Sequence, residues 1–105
     1  MSMDGIDVKT ERSGSSATIT VVGEIDLTTA SSLETEVVGL IEGSVSELEI
    51  GLGGVSFMDS TGLRVLLKAS KLLTSAGGKL RLSGPSDPVK RLLEVSGLDT
   101  HFEIA

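Results

Sequence analysis

The spacing of apolar residues changes several times along this chain, and each change marks an element. In "GIDVKTE" (5–11), Ile6 and Val8 alternate with Asp7 and Lys9, the period of a strand with one buried face. "SGSS" (13–16) is a turn cluster, and "ATITVVG" (17–23) is β-branched with Ala17, Ile19 and Val21 in phase. Two such runs joined by a short Gly/Ser turn predict a β-hairpin. The period then lengthens. In "TTASSLETEVVGLIEG" (28–43), Ala30, Leu33, Val37, Leu40 and Ile41 recur at helical spacing, with Thr28 or Thr29 to cap the helix and Gly43 to close it. Gly39 weakens its last turn.

Alternation returns in "VSELEIGL" (45–52), where Leu48, Ile50 and Leu52 share a face. "TGLRVLLKASKLLTSAGG" (61–78) predicts a second helix, with Leu63, Leu66, Leu67, Ser70 and Leu73 inward, Arg64, Lys68 and Lys71 on the opposite side, and Gly77 as the stop. "KLRLSG" (79–84) reads as a strand. "SDPVKRLLEVSG" (86–97) reads as a third helix, with Asp87 as N-cap, Pro88 in the first helical position and Gly97 at the exit. "HFEIA" (101–105) alternates as a short last strand, and no ligand role is expected for His101 within it. The order β-β-α-β-α-β-α-β predicts an α/β domain over residues 1–105, without linker or repeat. Its sheet is expected to be mixed and four- to five-stranded, mostly parallel with an antiparallel edge, packed with about three main helices.

Composition narrows the chemistry. The chain has 105 residues, 39% of them hydrophobic, enough for one core, yet only two are Phe and none is Trp or Tyr. Flat stacking surfaces are therefore scarce. A net charge of −6 argues against direct nucleic-acid binding and against an anionic membrane surface. The absence of cysteine removes disulfides, thiolate metal sites and a Cys nucleophile, and one histidine near the C-terminus argues against a Ser-His-Asp triad. No apolar run approaches the roughly 18 residues of a membrane span, and the N-terminus lacks an apolar signal core, so the protein is expected to be cytoplasmic. No cofactor, metal or catalytic residue is expected.

In open α/β sheets, sites gather where strand carboxyl ends feed helices. Three segments qualify: "GEIDLTT" (23–29), "GGVSFMDSTG" (53–62) and "SGPSDP" (83–88). "GLGG" (51–54) lacks both the Gly-Lys-Ser/Thr of a P-loop and a full GxGxxG. In "SFMDSTGLRVLL" (56–67), an acid and two hydroxyls stand at a predicted helix start. One reading is a cap, with Ser60 at or near the N-cap. The other is a hydroxyl placed where the positive end of a helix tolerates a phosphoryl group. Gly62 removes bulk beside the hydroxyls, and Phe57 and Met58 either anchor the loop or leave a hydrophobic rim. Asp26 reads either as a capping acid or as a rim acid that meets a cationic partner, and Glu24 as a solvated strand-end charge. The Arg64, Lys68 and Lys71 stripe is a solvated face or a rim for an acidic partner segment.

Three segments in order resemble the STAS-domain anti-sigma factor antagonists of bacteria: "GEIDLTTASSL", "VSFMDSTGLRVLL" and "AGGKLRLSGPSDPVKRLLEVSGLD". The resemblance spans nearly the whole chain. It implies a STAS fold and a cytoplasmic regulator that is not an enzyme. The unphosphorylated form would bind an anti-sigma factor that is also a GHKL-type serine kinase, releasing the sigma factor. Phosphorylation of the serine after the motif's aspartate, here Ser60, would switch it off, and a PP2C-type phosphatase would reverse it. Asp26, Asp59, Thr61, Gly62 and Arg64 would join Ser60 in the partner-binding surface. Gly51 and Gly53 depart from the family pattern and are expected to loosen a 51–54 loop. Two alternatives remain at this level: a non-switching STAS adaptor subunit of a transporter or stress-signalling assembly, and a small-molecule or nucleotide binder using the same helix start.

Overall fold

The structure is a computed structural model that describes residues 2, 3 and 5–105. Its strands are β1 (Ser2–Met3), β2 (Ile6–Ser13), β3 (Ser16–Ile25), β4 (Glu47–Met58), β5 (Lys79–Ser83) and β6 (Glu103–Ile104). Its helices are α1 (Ala30–Glu42), α2 (Ser60–Ser75) and α3 (Asp87–Val95). The two-residue β1 is additional to the expected strands. Among the described residues the sheet runs β1-β2-β3-β4-β5-β6, the order of the chain itself. β1–β2 and β2–β3 are antiparallel, and β3 to β6 are parallel to their neighbours.

Chain-order strands joined by right-handed crossovers always step the same way, so successive helices fall on one face of the sheet. Burial agrees. Ala17, Ile19 and Val21 of β3 and Leu48, Ile50 and Leu52 of β4 are buried, while Thr20 and Val22 face solvent. A parallel sheet covered on both faces reads as continuous apolar runs. The alternation in 45–52 reflects a sheet with one bare face. Polar groups decorate that face, as where Arg81 Nε donates to Glu103 at 2.8 Å. The covered face holds a Leu/Ile/Val core, including Ile19, Ile25, Leu33, Ile50, Leu52, Leu66, Leu73, Leu82 and Leu93.

Several boundaries differ from the sequence expectations. β4 does not end near Leu52 but continues to Met58, so 51–54 is strand and not a flexible loop. Gly51 pairs with Thr20 and Ser83, and Gly54 with Val22. Register shifts against β3 at Thr20/Val22 and Gly23/Glu24 break the two-residue period, so the buried phase jumps from Leu52 to Val55 and Met58. Such irregularities hide a strand from a period search. The glycines also admit a close neighbour, since a Cβ on Gly54 would lie 2.9 Å from Val22 Cγ2.

The inward face of α2 is Leu63, Val65, Leu66, Ala69 and Leu73, with Ser70 and Leu67 only half-buried. The N-cap of α3 is Ser86, which makes Asp87 its first residue and Pro88 its second. Ser86 fits the role because its extended backbone precedes the helix, while Pro88 still sits where no N–H is needed. Gly97 follows α3 at φ +73°, with Leu98 N donating to Leu93 O at 2.8 Å, as expected of a helix exit. His101 lies in the turn before β6, exposed, with its ring edge-on to Phe102 at 5.0 Å.

Candidate functional site

The parallel strands β3 and β4 end level, with Ile25 opposite Met58. The next residues, Asp26 and Asp59, therefore leave the sheet side by side, and Asp59 N donates to Ile25 O at 3.2 Å. Two helix starts, separated by a whole crossover in sequence, become one surface.

At the first start, Asp26 Oδ1 accepts from Thr28 N at 2.9 Å, Thr28 Oγ1 at 2.8 Å and Thr29 N at 3.2 Å. Thr29 occupies the N-cap position of α1 but makes no side-chain capping bond. Its buried hydroxyl instead donates to Glu24 O at 2.7 Å and accepts from Asp26 N at 2.9 Å. Asp26 thus orders the turn that leads into the helix, and its backbone oxygen accepts from Ala30 N at 2.8 Å. The hydrogen bonds to its side chain, chiefly that from the Thr28 hydroxyl, hold the Asp26 carboxyl below the ordinary aspartate range. A depressed folded-state value means the contribution is present above the unfolded value, near pH 4, and is lost as pH falls through the folded one. Asp26→Asn is expected to flatten the acid limb of thermal stability below about pH 4. Melting curves from pH 2 to 6 check this, and an unchanged limb would contradict it.

At the second start, Asp59 is the N-cap of α2 with extended backbone, and its carboxylate accepts from the Thr61 N–H at 2.9 Å and from the Thr61 hydroxyl. Ser60, expected at or near the cap, is the first residue of the helix, directly after the cap. The acid is better placed because its short side chain turns back to the amide two residues on. The consequence is a division of labour. Thr61 is half-buried and committed to Asp59. Ser60 is exposed, and its hydroxyl makes no hydrogen bond among the described residues.

Gly62 has a different reason from the one expected. It is buried, and a Cβ there would lie 2.6 Å from Met58 Cγ and 2.9 Å from Ile25 Cγ2. It lets the first turn of α2 press against the two strand ends, and faces away from solvent. Gly62 therefore positions Ser60 and offers no side chain to a partner.

Strand alternation separates the two apolar residues before Asp59. Met58 is 5% exposed and anchors the strand end, while Phe57 is 47% exposed and forms a rim. Phe57 borders an open groove of about 490 Å³ whose other wall is α3, through Pro88, Arg91, Leu92 and Val95. Val95 is 81% exposed. Of these α3 residues only Pro88 falls in a candidate segment, 83–88; Arg91, Leu92 and Val95 lie outside all three. Their signal was present: Leu92 and Val95 lie off the stripe that buries Val89 and Leu93. Beside Asp26, Leu27 is 80% exposed, a second apolar rim the motif reading passed over.

On the exposed side of α2, Arg64 stands one turn after Ser60, while Lys68 is drawn sideways to Glu34 at 2.9 Å. The 83–88 loop offers less, because the Ser86 hydroxyl donates to Val55 O. Glu24 is exposed, as a strand-end charge should be. Among the described residues, no group of three or more His, Asp or Glu side chains is placed to hold a metal ion.

The family model described as STAS domain matches residues 7–105. The chain belongs to the STAS-domain anti-sigma factor antagonist family. This STAS domain is 44% identical over 101 residues to an anti-sigma-B factor antagonist of Listeria monocytogenes, covering 94% of this chain and 86% of the relative. It is 34% identical over 100 residues to the anti-sigma-B factor antagonist of Bacillus subtilis, covering 95% and 91%. Its fold is that of the anti-sigma factor antagonist SpoIIAA in its unphosphorylated form, with a TM-score of 0.83 at 24% identity over 94% of this chain and 88% of that one. SpoIIAA in its phosphorylated form, from Bacillus, matches with a TM-score of 0.76 at 23% identity, over 94% and 91%.

Proposed function

We propose that this STAS domain is an anti-sigma factor antagonist that works by partner switching, with Ser60 as its switch. The unphosphorylated chain binds an anti-sigma factor that is a GHKL-type serine kinase, through the rim formed by Asp26, Asp59, Ser60, Thr61 and Arg64. Gly62 supports that rim from beneath. Phosphorylation of Ser60 by the bound kinase ends the interaction, and a PP2C-type phosphatase restores it. The chain itself does no catalysis: the kinase supplies ATP, metal and base. It acts in the cytoplasm, and no helix among the described residues is long and apolar enough to cross a membrane.

One observation carries this reading. Of the two adjacent hydroxyls, Thr61 is tied to Asp59 whereas Ser60 is exposed and unbonded. A hydroxyl that must reach the γ-phosphate of another protein's ATP has to be accessible and free of competing bonds. The relatives named anti-sigma-B factor antagonists, and SpoIIAA with its two phosphorylation forms, support the same assignment.

The test is to incubate the chain with ATP and the serine kinase that it captures, then map phosphate by mass spectrometry. One phosphate on Ser60 is expected, with none on Ser60→Ala. Phosphate that persists on Ser60→Ala, whether on Thr61 or elsewhere, removes Ser60 from the role.

A further inference from the structure

Among the described residues Arg64 makes no ion pair, although it is exposed close to the polar cluster of Asp59, Ser60 and Thr61. It follows Ser60 by four residues, one helical turn on the same side of α2. Side chains four apart on a helix are neighbours, with Cβ atoms roughly 6 Å apart. The Cα–Cβ bond of a helical residue tilts towards the N-terminus, so the long arm of Arg64 lies over the turn that carries Ser60. An anion N-terminal to a cation at this spacing is the favourable order.

We propose that Arg64 binds the phosphate of phosphorylated Ser60 within the same helix, an inference that rests on the Ser60 reading above. The helix end does not neutralise that phosphate unaided. The Asp59 carboxylate already takes the Thr61 amide, and it places a further negative charge beside the new one. Guanidinium meets phosphate through two parallel hydrogen bonds, which suits Arg64 better than a lysine. The other cations of α2 are less well placed. Lys68 is held by Glu34, and Lys71 lies three turns from Ser60.

The consequence is a switch with two components. Phosphorylation adds about −1.5 to −2 charges to the docking rim. It also withdraws Arg64, a cation that the unphosphorylated rim presents to an acidic segment of the partner. Both changes act against the same interaction.

A thermodynamic cycle tests this with phosphoserine encoded directly at position 60, so that no kinase is needed. Melting temperatures are measured for the unmodified and phosphorylated chain, each with and without Arg64→Gln. Phosphorylation is expected to raise the midpoint by about 3 °C more when Arg64 is present. That excess should shrink in about 0.5 M salt and be partly kept by Arg64→Lys. Any effect of Arg64→Gln on the unmodified fold cancels in the cycle. Arg91→Gln, across the groove from Phe57, serves as the control and should leave the excess intact. An excess below about 1 °C, or one removed by Arg91→Gln instead, overturns the Arg64 assignment. Either result leaves Ser60 as acceptor untouched, because that reading stands or falls on the phosphate map alone.

Discussion

Gly78→Ala is expected to lower the melting temperature by about 15 °C, from a loss on the order of 3 kcal/mol. A Cβ on Gly78 would lie 2.1 Å from the carbonyl oxygen of Ser46 and 2.9 Å from its carbon, both backbone atoms. No side-chain rotation relieves that. The two segments must separate, and the separation breaks the Lys79 N–H bond to Ser46 O, now 2.8 Å. The damage spreads, because Ser46 is itself bonded through its N–H to Ser15 O at 2.8 Å. The starts of β3, β4 and β5 are thus tied together at this point, and the exit of α2 is fixed by it. Gly39→Ala is the matched control. Gly39 lies in α1 with nothing within 4 Å of a new Cβ, so alanine should raise stability by about 0.5–1 kcal/mol. A Gly78→Ala chain that melts within a few degrees of the parent would show that the approach of these segments is not needed.

Ser60→Asp is expected to leave the fold intact while weakening partner binding at least tenfold, and phosphoserine at 60 by about 100-fold or more. The two halves have separate causes. At the first position of α2, a negative charge meets the positive end of the helix, so stability should hold or rise slightly. At the docking rim the same charge joins Asp26 and Asp59, and like-charge juxtaposition across an interface costs several kcal/mol. Asp supplies one charge where phosphoserine supplies nearly two and more bulk, which sets their order. Calorimetric titration of the captured kinase against parent, Ser60→Ala, Ser60→Asp and phosphoserine chains gives the ranking, with melting curves run on the same samples. Binding indifferent to Ser60→Asp and to phosphoserine would favour a non-switching adaptor. A fall of several degrees in melting temperature would assign the lost binding to damaged structure.

The two experiments separate what the glycines and the hydroxyls do. Gly78, Gly54 and Gly62 each stand where a Cβ would meet a neighbour at under 3 Å, so they set how closely helices and strands approach. The Ser60 hydroxyl is exposed and makes no hydrogen bond among the described residues, so its side chain holds no part of the fold together. A residue at a motif's centre with no structural partner is the kind that binding or modification explains best.

The sequence by itself determined the class and order of the main elements and the polar cluster at 59–61. Those features follow from local physics: periodicity of two or 3.6 residues, cap chemistry, and turn-forming glycine. It also carried the family resemblance, since motif residues are contiguous. Tertiary structure alone decided four things. β4 runs on to Met58 because a register shift against β3 absorbs an extra residue and pairing resumes at Gly54. Asp26 and Asp59 stand side by side because Ile25 and Met58 end level in a parallel pair, a non-local fact. Phe57 borders a groove with α3 because the chain after β5 brings the start of that helix against the end of β4, where the Ser86 hydroxyl donates to Val55 O. Finally, Asp59 rather than Ser60 takes the cap, which commits Thr61 and leaves Ser60 unbonded. Three adjacent polar residues are nearly equivalent as letters. They acquire different roles only when the backbone fixes which oxygen reaches which amide.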